Sequence, residues 1–155
     1  MGVEIERKFL VDKEKWTAVE KSAPNRMRQG YLLTDPHKTI RVRVAETGGY
    51  LTIKGLSTGA TRAEFEYEIP KQEAEELLNL FSVSKLDKIR YEIVFNGKVW
   101  EVDEFLGENE GLIVAEIELV SESEEFQLPA WVTREVTDEE KYYNSSLSAR
   151  PFKRW

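Results

Sequence analysis

The sequence predicts a mainly β protein of the α+β class, about eight mostly antiparallel strands in a barrel or strongly curled sheet, with a few flanking helices. Three observations predict it. About eight runs alternate charged with apolar residues at period two, Gly, Pro, Asn and Asp turn signals separate them, and helical patterning is confined to short stretches. Strands joined by short turns are antiparallel neighbours, and eight of them curl readily into a barrel.

Taken in order, residues 2–11 form the first strand, with Glu4, Glu6 and Lys8 on one face roughly 6.5–7 Å apart. Residues 13–21 read as a short helix begun near Asp12 and anchored by Trp16. The second strand is 28–34, ended by the Asp35-Pro36 turn. Runs 39–45 and 50–54 read as a hairpin across Gly48-Gly49, and 62–69 follows a loop holding Gly55, Ser57 and Gly59. Residues 70–81 make the principal helix: Pro70 suits its first turn, Glu73, Glu75 and Glu76 favour its N-terminal half, and Leu77, Leu78 and Phe81 give it an apolar side. Runs 88–95 and 99–105 flank Asn96-Gly97, the strongest hairpin signal in the chain, and 112–120 closes the series. Residues 121–126, before Pro129, and 144–149 are expected as further helical turns.

With 155 residues and no repeat or linker, the chain 1–155 is expected to be one domain, long enough to bury about two-thirds of its unfolded surface. The absence of cysteine excludes disulfides and thiolate metal sites, so a metal would be held by oxygen or by the single histidine, His37. His37 lies beside Asp35-Pro36, where a loop role is expected. A net charge of −7 and a pI near 5.0 argue against a nucleic-acid partner. The stretch after Met1 has no basic segment leading into an apolar one, and no later run reaches membrane-spanning length. A cytoplasmic location without a membrane partner is the expectation, and a homodimer is compatible with it.

The charged faces carry the chemistry. Arg41 and Arg43 share one strand face, Glu64, Glu66 and Glu68 another, then Lys88 with Arg90, Glu101 with Asp103, and Glu116 with Glu118. Like charges at neighbouring positions are destabilising on a face built only for solubility. If helices such as 70–81 cover the apolar faces, the charges point into the barrel, where they persist only when paired, hydrogen-bonded or bound to a ligand. The implied ligand is a multiply charged anion accompanied by cations. Lys8, Arg41, Arg43, Lys54, Lys88 and Arg90 suit phosphoryl oxygens, the arginines bidentately. Glu4, Glu6, Glu116 and Glu118 suit a hard cation such as Mg²⁺ or Mn²⁺.

Glu4-x-Glu6-x-Lys8, Arg41-x-Arg43, Thr52-x-Lys54, Glu64-x-Glu66, Lys88-x-Arg90, Asp103 and Glu116-x-Glu118, in this order, resemble the CYTH superfamily, or triphosphate tunnel metalloenzymes. The segments 5–11, 28–32 and 141–144 look most like its short stand-alone bacterial members. The resemblance implies an eight-stranded tunnel that binds a small-molecule triphosphate with Mg²⁺ or Mn²⁺, with tripolyphosphate hydrolysis the usual assignment. It adds Glu64, Glu66 and Asp103 to the metal-side carboxylates, Asp103 standing equally as metal support or as the orienting partner of a basic neighbour. Glu101 shares the face of Asp103 but falls outside the family pattern.

The expected activity is hydrolysis of tripolyphosphate to phosphate and pyrophosphate, with Lys8, Glu116 and Glu118 nearest the chemistry and the base either a glutamate or Lys8. Lys141 reaches back to phosphate from the C-terminal segment or lies on the surface, Arg62 stands at the tunnel mouth or is simply solvated, and Tyr31 lines the tunnel or packs. The four tryptophans have no spacing for a stacking platform and are read as packing residues. The nearest rivals are an organic triphosphate enzyme, either a class IV adenylate cyclase or a thiamine or nucleoside triphosphatase, and a non-catalytic polyphosphate or nucleotide-binding module. A structural barrel with an internal salt network is the third.

Overall fold

The computed structural model describes residues 2–35 and 37–155. Its strands are β1 (Val3–Val11), β2 (Asn25–Asp35), β3 (Lys38–Ala45), β4 (Gly48–Gly55), β5 (Thr61–Ile69), β6 (Ser84–Phe95), β7 (Lys98–Phe105), β8 (Ile113–Glu118) and β9 (Val132–Glu135). Its α-helices are α1 (Lys13–Thr17), α2 (Lys71–Phe81) and α3 (Asn144–Ala149). The sheet runs β5-β4-β3-β2-β6-β7-β8-β1, and a further β5–β1 pairing closes it into an antiparallel eight-stranded barrel. β1 completes the closure by dividing itself: Val3–Ile5 pair with β5, Glu6–Leu10 with β8, and β9 joins at Phe9 and Val11.

The alternation along each strand sorts side chains between lumen and exterior, and helices or loops cover much of the outer apolar face. On β3, Val42 and Val44 pack beneath Ala74 and Leu78 of α2, while Arg41 and Arg43 turn inward. This close approach needs glycine. A Cβ on Gly49 would stand 2.6 Å from the Ala74 Cβ, and one on Gly30 would stand 2.7 Å from Leu78 Cδ1. The exterior of β1, β7 and β8 is covered by an aromatic cluster in which Phe9, Trp16, Trp100 and Trp131 meet edge-on or tilted, with ring centroids 5.2–6.0 Å apart.

A third cluster of Leu86, Phe105, Leu112, Val114, Val136, Tyr142 and Leu147 differs in kind. Leu86, Phe105 and Val114 share the strand faces of Lys88, Asp103 and Glu116, so they belong to the lumen wall. The C-terminal segment packs on them, and one end of the barrel is filled with apolar side chains.

Several expected boundaries shift for local reasons. Ala45 pairs with Gly48, so the β3–β4 turn is Glu46-Thr47 and both glycines belong to β4. Asn96 (φ 50°) and Gly97 (φ 74°) make the expected tight turn of β6–β7. α1 stops at Thr17 rather than 21: the Ala18 and Val19 N–H groups turn back to the Lys15 and Trp16 carbonyls at 3.1 Å, and Lys21 Nζ donates to the carbonyls of Trp16 and Val19. No helix forms over 121–126, where the Glu124 carboxylate takes the Val120 backbone N–H at 2.7 Å. β9 was not expected. Pro36 of the Asp35-Pro36 turn lies outside the described residues. Among the described residues no helix is long and apolar enough to cross a membrane.

Candidate active site

β1 and β8 set the acidic side of the lumen. Their register places Lys8 opposite Glu116 and Glu6 opposite Glu118, and β7 brings Glu101 opposite Glu116. Glu6, Glu101 and Glu116 each offer a carboxylate oxygen, all within 4.8 Å of one another. Burial pushes the Glu6 carboxyl well above the usual range, and Glu116 and Glu4 push it further. Burial acts on Glu116 in the same direction, but Lys8, Arg90, Lys88 and a hydrogen bond with Glu6 hold it well below that range. Burial also raises Glu101, against the pull of Arg90. Closely spaced carboxylates cannot all ionise unless a cation joins them, and an all-oxygen donor set fits a hard divalent ion. The residues present therefore fit such a metal.

The basic wall comes from β3, β4 and β6. Arg41 is buried, donates to Thr52 Oγ1 at 3.1 Å, and leaves its Nε without a partner among the described residues. Arg43 donates to Gln29 Oε1 at 2.9 Å, and burial, aided by Arg41 and Arg90, draws its pKa down to about 9. Lys88 is fully buried and donates to Asp103 Oδ2 at 2.6 Å and Asn144 Oδ1 at 3.1 Å; burial outweighs Asp103 and lowers it to about 7. Arg90 clasps both oxygens of Asp103 at 2.7 and 2.9 Å and reaches Glu101 at 3.1 Å and Glu116 at 3.0 Å. It thus joins the basic wall to the acidic side.

A second cluster lies where β1 meets β5. Glu4 accepts from Lys54 at 3.1 Å and from Arg62 at 3.4 Å, and Lys54 also approaches Glu64 at 3.3 Å. Burial raises Glu4, but Lys54, Glu64 and Arg62 together bring it below the usual range, whereas Glu64, half-buried, is raised by partial burial and by Glu4. Arg62 belongs to this wall, since it lines a small cavity of about 20 Å³ together with Tyr31, Arg41 and Lys54.

A family model described as the CYTH domain matches residues 2–151. The chain belongs to the CYTH domain family. A relative from Acetivibrio thermocellus named inorganic triphosphatase is 50% identical over 154 residues, 99% of this chain and 97% of its own length. Another of that name, from Nitrosomonas europaea, is 34% identical over 150 residues, 94% of this chain and 96% of its own. The crystal structure of an inorganic triphosphatase superposes with a TM-score of 0.63 at 31% identity, covering 96% of this chain and 95% of that one.

The CYTH lumen gathers Lys8, Arg41, Arg43, Lys54, Lys88 and Arg90 with Glu4, Glu6, Glu64, Asp103 and Glu116. Other expected site residues are more open to solvent. Glu66 and Glu118 are exposed, and Lys141 is exposed with its ammonium 4.4 Å from the centre of the Trp155 ring. Asp103 is wholly engaged by Lys88 and Arg90, the orienting arrangement. Two residues outside the expected set enter the site. Glu101 joins the carboxylate group, and its face-sharing with Asp103 was the available signal; Asn144 reaches Lys88 from α3, and its place in the 141–144 segment was the available signal.

Proposed function

We propose that this CYTH protein hydrolyses inorganic tripolyphosphate to orthophosphate and pyrophosphate in its lumen, with Mg²⁺ or Mn²⁺ as cofactor. The observation that carries this reading is the meeting, inside one closed barrel, of six cationic side chains with Glu6, Glu101 and Glu116, whose carboxylate oxygens lie within 4.8 Å of one another. The two relatives named inorganic triphosphatase support the same substrate.

Phosphoryl transfer asks a protein chiefly for positioning and charge neutralisation. Arg41 and Arg43 present guanidinium forks from inward positions of one strand, and the unpartnered Nε of Arg41 is a donor awaiting an acceptor. Lys54 and Arg62 exchange Glu4 for phosphoryl oxygens. Asp103 orients Lys88 and Arg90. Glu6, Glu101 and Glu116 would hold the cation, with Glu4, Glu64, Glu66 and Glu118 along its approach. Bound there, the cation supplies charge neutralisation to the phosphoryl group under attack. Lys8, 3.4 Å from Glu116, stands at the junction of the acidic and basic groups, beside the reacting phosphoryl group. Water attacks a terminal phosphorus, the bridging P–O bond breaks, and pyrophosphate leaves.

A phosphate-release screen over tripolyphosphate, ATP, thiamine triphosphate and pyrophosphate, each with Mg²⁺, Mn²⁺ or chelator, tests the proposal. Metal-dependent release that favours tripolyphosphate is expected. Activity confined to a nucleotide, formation of cyclic AMP, or release undiminished by chelator would overturn it.

A further inference from the structure

The C-terminal segment closes one end of the lumen and also touches the two most buried lysines of the site. The Tyr142 carbonyl accepts from Lys8 Nζ at 3.2 Å, and Asn144 Oδ1 accepts from Lys88 Nζ at 3.1 Å. Asn144 and Ser145 line the 20 Å³ cavity with Tyr31, Arg41, Lys54 and Arg62, and the buried Arg41 has an unpartnered Nε. α3 is held there from the β7–β8 connection, where Asn109 Nδ2 donates to the Leu147 carbonyl at 3.3 Å and Asn109 Oδ1 accepts from Phe152 N at 2.8 Å.

With its oxygen engaged by Lys88, the Asn144 side chain retains an amide group that is a neutral donor beside three cations. A residue needed only as an acceptor for a buried ammonium would serve better as Asp, whose charge pairs with the lysine. An amide instead avoids placing a negative charge beside the incoming phosphates. We propose that Asn144 is a substrate-binding residue of this site, steadying Lys88 through Oδ1 and donating its amide N–H to a phosphoryl oxygen at the closed end of the lumen. The inference rests on the tripolyphosphate reading above.

Asn144→Ala and Asn144→Asp separate the two roles, with Asn144→Ser replacing Ala if melting shows that Ala loses the fold. Affinity for tripolyphosphate is measured calorimetrically in Ca²⁺, and KM and kcat in Mg²⁺. The loss of one hydrogen bond should weaken binding about fivefold in Asn144→Ala. Like-charge repulsion should weaken Asn144→Asp further, by about thirtyfold, with the rise in KM exceeding the fall in kcat. Asn144→Asp binding as tightly as wild type, or Asn144→Ala showing no loss, overturns the inference. Wild-type protein that neither binds nor hydrolyses tripolyphosphate removes the functional reading and this one with it.

Discussion

Replacing Asp103 with Asn removes a charge from a carboxylate that is only 1% exposed and accepts from Arg90 Nε, Arg90 Nη2 and Lys88 Nζ at 2.7, 2.9 and 2.6 Å. An amide has one oxygen, so its other end would present N–H to a guanidinium or an ammonium. Breaking a buried pair from one side costs about 3–5 kcal/mol, and at about 2–4 °C per kcal/mol for a chain of this size Tm should fall by about 6–20 °C. Arg90 keeps Glu101 and Glu116, so the barrel should persist at room temperature. Lys88 and Arg90 lose their orientation, which should raise KM for tripolyphosphate while the Mg²⁺ concentration for half-maximal rate stays unchanged. Adding Lys88→Met removes the stranded buried amine and should recover part of the Tm, a coupling that a double-mutant cycle measures. Thermal melts and Mg²⁺ titrations of the rate decide the matter. A Tm within about 2 °C of wild type would refute the packing argument; an altered Mg²⁺ requirement with KM unmoved would make Asp103 a metal ligand instead.

Glu101→Gln should raise the Mg²⁺ requirement by about 10–100-fold, whereas Glu66→Gln, on an exposed side chain, should shift it little, as a metal titration of the rate will show. Glu116→Gln should lower turnover by about a hundredfold with a folded barrel, and near-normal turnover at limiting metal would remove Glu116 from the site. Arg41→Lys or Arg43→Lys keeps the charge but loses the planar fork, so calorimetry with tripolyphosphate and Ca²⁺ should find weaker binding. On the barrel exterior, hydrogen bonds from Arg7 at 2.6 and 2.8 Å hold Glu135 below its ordinary pKa of 4.5. A depressed carboxyl contributes stability that is present above pH 4.5 and lost as pH falls below it through the folded value, so Glu135→Gln should flatten the acid loss of Tm. Melting curves that fall in parallel with the wild type's would contradict this.

The period-two charge rows pointed to a barrel or curled sheet and to most of the side chains that share its charged face, because strand geometry sends alternate residues to opposite faces and a one-residue slip would invert every face. Arg41 with Arg43, Lys88 with Arg90, and Glu4 with Glu6 and Lys8 were legible for that reason. The sequence also placed the turn at Asn96-Gly97, since that pair accepts positive φ at low cost. Only the tertiary structure decided which carboxylates converge. Glu101 and Asp103 share a strand face, yet Asp103 is enclosed by Lys88 and Arg90 while Glu101 joins Glu6 and Glu116. That division depends on which strands flank β7, and no local pattern records it. The same holds for Arg62, which reaches Glu4 through the short β1–β5 seam, for β9, and for Asn144, which meets Lys88 across 56 positions of sequence because the C-terminal segment packs its apolar side chains into one end of the barrel. Side-chain direction is a local property of a strand, whereas the partner met inside a closed lumen depends on register, closure and long-range packing.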